Sequence, residues 1–112
     1  MSLGNKYIIP SRPNFSDVLK NPDLFEKVDN FFLYGKANNE LNPRLGVAIK
    51  KKDYKLAIER NSLKRKIKSS FKVVVAELPC LDFVVVVKKN KPPEDEYKNL
   101  NLLWKKCFLE RR

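Results

Sequence analysis

The residues with the clearest chemical potential are cations gathered in one stretch. Lys50-Lys51-Lys52 and Lys55 lead into Arg60-Asn61-Ser62-Leu63-Lys64-Arg65-Lys66-Ile67-Lys68, and Lys72 follows. From Lys50 to Lys72 there are ten Lys or Arg residues against two acids, Asp53 and Glu59. A helix face charged only for solubility alternates its signs more evenly. Arg offers a planar fork that matches two phosphate oxygens, and Lys a point charge that tolerates variable geometry. Asn61 donates and accepts at once, which suits a 2′-hydroxyl or a base edge. The whole chain repeats the bias: 24 Lys and Arg against 13 Asp and Glu give a net charge of +11. Such an excess repels itself in a folded domain and points to a polyanionic partner. Nucleic acid fits better than anionic lipid, because the sequence has neither a lipidation motif nor a terminal basic amphipathic helix with an aromatic-rich face. A solvated charged face is the competing reading, and these residues alone do not separate DNA from RNA.

Other chemistries have less to draw on. The chain contains no histidine, the commonest general base and metal ligand. Cys80 and Cys107 form no CxxC or Cys-His cluster and read as two reduced thiols, with a single disulfide as the alternative. Asp53, Glu59 and Asp82 are too dispersed to argue for a two-metal nuclease site. No catalytic residue and no metal ligand is therefore assigned to the protein. The apolar stretch from Val73 to Val87 is broken by Glu77, Pro79 and Asp82, so neither half spans a membrane. With no apolar N-terminal signal, the expectation is a soluble cytoplasmic protein without a membrane partner or an evident obligate protein partner.

What must position the cations is a single domain, residues 1–112, of a size that supports its own core. Ser11 or Asn14 is placed to cap a short helix over Phe15 to Lys20, with Phe15, Val18 and Leu19 on one face. Phe31 to Tyr34 reads as a strand ended by Gly35, and residues 38–43 as a loop. Arg44 to Lys50 alternates: Leu45, Val47 and Ile49 point one way, Gly46 and Ala48 the other. That second face is almost bare, open either to close helix packing or to the approach of another backbone. The longest periodic stretch, Leu56 to Ala76, aligns Leu56, Leu63, Ile67, Phe71 and Val74 within about 80° of arc. On the same wheel Asn61, Lys64, Arg65, Lys68 and Lys72 fall beside this stripe, with Arg60 at the border. Asp82 to Val87 is continuous and β-branched, as in a strand covered on both faces. After a turn at Lys88 to Pro93, Glu94-Asp95-Glu96 open a last helix with Tyr97, Leu100, Leu103, Trp104 and Cys107 inward. The expected order is α-β-β-α-β-α, an α/β (α+β) sandwich with helices packed on a mixed sheet.

Arg44-Leu45-Gly46-Val47-Ala48-Ile49-Lys50-Lys51-Lys52, then Ala57, Glu59-Arg60-Asn61, Lys64-Arg65 and Ser70-Phe71-Lys72, strongly resemble the bacterial ribonuclease P protein component. Glu77-Leu78-Pro79, Asp82-Phe83-Val84-Val85-Val86, Lys88-Lys89 and Leu103-Trp104 look like its proteobacterial branch, and the resemblance covers about residues 12–108. Two positions depart: Ser62 stands where the Arg-Asn-Arg signature has its second arginine, and Leu19 where an aromatic is common. The resemblance implies a family-type left-handed β-α-β crossover, unusual against the right-handed rule. It implies the protein subunit of a ribonucleoprotein endoribonuclease whose RNA subunit uses Mg2+ to remove the 5′ leader of precursor tRNA. The partners would be the catalytic RNA and precursor tRNA. Arg60, Asn61, Lys64, Arg65, Lys68, Lys51 and Lys52 would face the catalytic RNA. A cleft of Phe15, Val18, Leu19, Tyr34, Gly46, Ala48 and Lys50 would hold the leader, although these apolar residues also suit a plain core. A non-enzymatic RNA-binding factor, such as a ribosome-associated one, fits the basic ridge as well, and an autonomous nuclease would need a catalytic group the sequence does not display.

Overall fold

The computed structural model describes residues 7, 9, 12–28, 30–38, 42–50, 52–88 and 96–107, with backbone alone at 12–14, 96 and 97. The elements are α1 (Arg12–Lys20), β1 (Leu24–Val28), β2 (Phe31–Ala37), β3 (Arg44–Ile49), α2 (Ala57–Val74), β4 (Leu81–Val87) and α3 (Glu96–Lys105). The expected order α-β-β-α-β-α is thus corrected to α-β-β-β-α-β-α. The strand absent from the expectation is β1, Leu-Phe-Glu-Lys-Val, whose two central charges mask its alternation. Its register pairs Val28 with Phe31, so two residues, 29 and 30, join it to β2. Asp29-Asn30 is the kind of pair a two-residue hairpin favours, and that was the available signal.

The sheet order is β1-β2-β4-β3, with β1/β2 and β2/β4 antiparallel and β3/β4 parallel. Parallel neighbours need a crossover, and α2 supplies it between β3 and β4. Cross-strand register then sorts the side chains onto two faces. On one face Phe31, Leu33, Phe83, Val85, Val87 and Leu45 meet Leu63, Ile67 and Phe71 of α2 and Leu100, Leu103 and Trp104 of α3. The Trp104 ring stands edge-on to Phe71 at 5.4 Å and to Phe83 at 5.7 Å. Its indole N–H donates to the Ser70 hydroxyl at 2.9 Å, and that hydroxyl donates to the Ile67 carbonyl at 2.8 Å. The one polar atom of the tryptophan is thereby satisfied where no water reaches it. On the opposite face α1 lies on a smaller cluster of Ile9, Val18 and Val84, with Phe15, Tyr34, Ala48 and Val86 half-buried around it.

Several boundaries differ from the sequence reading for local reasons. Helix α1 begins at Arg12, which puts Pro13 in the first turn, where its missing N–H costs nothing. The expected cap at Ser11, the side chain of Tyr97, and Glu94 and Asp95 lie outside the described residues, and Asn14, the alternative cap, is corrected to a position inside α1. Gly35 lies inside β2 rather than ending it. Leu56 is corrected from the buried stripe to the residue preceding α2, and it is 59% exposed. Val74 keeps partial burial where α2 tightens into a 3-10 turn at Val75–Glu77.

Candidate nucleic-acid interface

Helix α2 is fixed by Leu63, Ile67, Ser70 and Phe71, all buried. That anchoring sets the azimuth of everything else on the helix. Asn61, Lys64, Arg65 and Lys68 are exposed along one flank, and Lys72 is half-buried below them. Ser62 lies on the other flank, half-buried and one turn before Lys66, so the family's second arginine would not have pointed along this ridge.

Arg60, at the border, has a different situation from the exposed cations. Its Nη1 donates to the Tyr54 carbonyl at 2.7 Å and to the Lys55 carbonyl at 3.1 Å. Helix α2 has no side-chain N-cap. The guanidinium instead ties the preceding loop to the helix, while its remaining N–H groups retain their donor capacity. The loop itself turns on Lys50, whose carbonyl accepts from the Asp53 and Tyr54 amides, both at 3.1 Å. Lys52 is exposed there, and Lys51 lies outside the described residues.

Beside this ridge a cleft of about 830 Å³ opens, lined by Phe15, Ser16 and Leu19 of α1, the end of β3 from Val47 through Lys50, Val86 of β4, and Arg60 and Lys64 of α2. It brings together four residues of the expected leader cleft, Phe15, Leu19, Ala48 and Lys50, with two of the expected RNA-binding helix. Two surfaces anticipated as separate share an edge. The cleft floor is apolar and its rim cationic, which suits a base on one side and a phosphate on the other.

The remaining expected residues are placed around it. Val18 is 2% exposed against Val84 and contributes packing, not lining. Gly46 is covered by Phe15: a Cβ built on it would come within 2.6 Å of the ring's Cε1 and nearer still to Cζ. The bare strand face therefore admits a ring of this same chain at Gly46 and stays open at Ala48. Tyr34 shares the α1 side of the sheet, paired across strands with Val84, but its ring leans 5.0 Å from Phe25 of β1. Ser16 and Val86 line the cleft without having been anticipated. The uninterrupted apolar run of β4 concealed which of its residues face α1, and only pairing with Ala48 reveals it.

Among the described residues, acidic groups offer no competing site. Asp82 takes a bidentate contact from Arg44, Nε to Oδ1 and Nη2 to Oδ2, each at 2.8 Å, and Asn38 adds 2.8 Å to Oδ1. Among the described residues no three His, Cys, Asp or Glu side chains gather to hold a metal ion, and no helix is long and apolar enough to cross a membrane.

A family model described as Ribonuclease P matches residues 3–108. The ribonuclease P protein component of Aliivibrio fischeri is 40% identical over 78 residues, 67% of each chain. That of Idiomarina loihiensis is 28% identical over 95% of this chain and 87% of its own. Among solved structures, the ribonuclease P protein of Staphylococcus aureus superposes with a TM-score of 0.80 at 26% identity, covering 91% of this chain and 97% of that one. A match across nearly the whole chain, on a fold shared with solved members, leads to one conclusion: the chain belongs to the ribonuclease P protein family, RNA-binding subunits of a ribonucleoprotein endoribonuclease that processes precursor tRNA.

Proposed function

We propose that this chain docks on the catalytic RNA of ribonuclease P through Asn61, Lys64, Arg65 and Lys68 of α2, with Lys51 and Lys52 extending the contact. The adjoining cleft holds the 5′ leader of precursor tRNA. The observation that carries this reading is the shared wall, because Arg60 and Lys64 border the cleft while the same helix displays the exposed ridge. A strand lying in the cleft would then meet the catalytic RNA at α2 without leaving the protein. Phe15 supplies an apolar wall, Ala48 a floor without bulk, and Lys50 a cation at the rim. Ridge cations neutralise phosphates and release counterions, so binding weakens steeply as salt rises.

The chemistry in this proposal belongs to the RNA, which supplies the active site and uses magnesium in the cytoplasm. Among the described residues nothing fits a dedicated magnesium site of the protein: the buried carboxylate, Asp82, already accepts three hydrogen bonds from Arg44 and Asn38. What the chain adds is positive charge beside the substrate strand, which lowers the repulsion between two RNAs.

Adding the protein to a bacterial ribonuclease P RNA and precursor tRNA at low magnesium is expected to restore leader cleavage, with stimulation that fades as salt is raised. Absence of stimulation across the salt series would exclude the proposal. Recovery of ribosomal RNA, instead of ribonuclease P RNA, on the protein from cells would favour a ribosome-associated role.

A further inference from the structure

We propose that the β1 edge carries a second single-strand site, a platform of Phe25, Phe32, Lys27 and Lys88 that takes leader nucleotides emerging from the cleft. It rests on the leader-binding reading and extends it to a surface the cleft does not include. Cross-strand pairing lays out the path: Ala48 opposes Val86, Val86 opposes Phe32, and Phe32 opposes Lys27. The first two line the cleft, so Phe32 is the next side chain across the same sheet face. Two strand spacings, about 10 Å, separate Val86 from the β1 edge. In the adjacent row Tyr34 opposes Phe25.

The aromatic groups on this edge do not serve the core. Phe25 is 50% exposed, and neither it nor Phe32 belongs to either hydrophobic cluster. The Phe25 ring lies 5.0 Å from Tyr34 and 6.3 Å from Phe32, a tilted set of three faces. Two ammonium groups stand over the Phe32 ring, Lys88 at 4.6 Å and Lys27 at 5.2 Å from its centroid. No carboxylate among the described residues pairs with either lysine. The exposed Phe25 ring, with two ammonium groups held beside it on Phe32, matches the two halves of a nucleotide, a base to stack and a phosphate to neutralise. The exposed β1 edge also offers unpaired backbone to a second copy. A partner carrying the same lysines and a net charge of +11 is electrostatically the wrong occupant, and a polyanion the right one.

The test uses holoenzyme reconstituted with a bacterial ribonuclease P RNA and two precursor tRNAs, one with a leader ending within the cleft and one several nucleotides longer. Phe25→Ala is expected to weaken binding of the long-leader substrate about tenfold, as for the loss of one stacked base, and to leave the short-leader substrate unchanged. Lys27→Gln and Lys88→Gln, exposed changes that leave the core intact, should each lower the salt slope for the long leader by about 0.7. Unchanged long-leader affinity in all three variants, or equal losses on both substrates, overturns the platform. If Phe15→Ala still lowers affinity in that case, the cleft reading survives alone. A wild-type enzyme that binds both substrates equally overturns the platform and leaves the cleft reading standing. A dimer by sedimentation that Phe25→Ala abolishes would assign the edge to a second copy and also overturn the platform.

Discussion

The two faces of the sheet are built from neighbouring residues of the same strands, yet they are finished differently. Toward α2 and α3, Phe31, Leu33, Phe83, Val85 and Val87 are fully buried around Trp104. Toward α1, the buried apolar side chains among the described residues are Val84, Val18 and Ile9, while Leu19 is 37% exposed and Phe15, Tyr34, Ala48 and Val86 are half-covered. Two helices close the first face, and a nine-residue helix leaves the second partly open. One face supplies stability, and the other keeps apolar surface available at a cationic rim. A half-covered face of this kind is costly to maintain and is where a ligand is expected.

The sharpest way to break this comparison is to remove a ring from each face. Phe71→Ala should destabilise the domain by about 3 to 5 kcal/mol, since the cavity would open between Phe83 and Trp104 where nothing can relax. Urea denaturation measures it, and a loss below about 1 kcal/mol would mean that this face is not the principal core. Phe15→Ala should cost less stability and instead weaken leader-dependent substrate affinity, by roughly the 1 to 3 kcal/mol of a lost stacking surface. If Phe15→Ala unfolds the domain, the α1 face is ordinary core and the distinction fails.

Gly46 tests how tightly the open face is nonetheless fitted. Gly46→Ala places a methyl into the Phe15 ring, and overpacking of this kind costs about 1 to 3 kcal/mol. Combining it with Phe15→Ala should be less harmful than the sum of the two, because the methyl then occupies vacated space. Strict additivity in the double-mutant cycle would show that the ring does not sit on Gly46 in solution.

The dry face was legible in the sequence because its residues obey simple periods: Leu63, Ile67 and Phe71 at helical spacing, and Leu100, Leu103 and Trp104 likewise. Only Leu56 broke the pattern, since helical phase says nothing about where a helix begins. The α1 face was harder to read. Strand β1 carries Glu26 and Lys27 at its centre, so neither alternation nor apolar continuity marks it, and Phe25 loses its context without it. The Phe15–Gly46 contact joins residues 31 positions apart on elements that do not pair, and no local rule reports it. The cations of α2 were found from charge and helical phase. Their division into cleft wall and outer ridge depended on how α2 meets β3, which is tertiary information.

That division yields the smallest effect and the finest test, on two arginines of one helix. Arg65 is exposed and does not line the cleft, so Arg65→Ala should lower the salt slope of RNA binding by about one and leave stability unchanged. Arg60 lines the cleft and also holds the Tyr54 and Lys55 carbonyls, so Arg60→Ala should lower the slope similarly while freeing the 52–56 loop. Salt titration of binding, paired with hydrogen exchange at the Asp53 and Tyr54 amides, separates the two. Arg60→Lys keeps the charge without the fork, so it should recover the slope and not the exchange protection. Equal exchange in all three variants would show that Arg60 acts on RNA alone, and the open face would then end at the cleft without reaching into the loop that precedes α2.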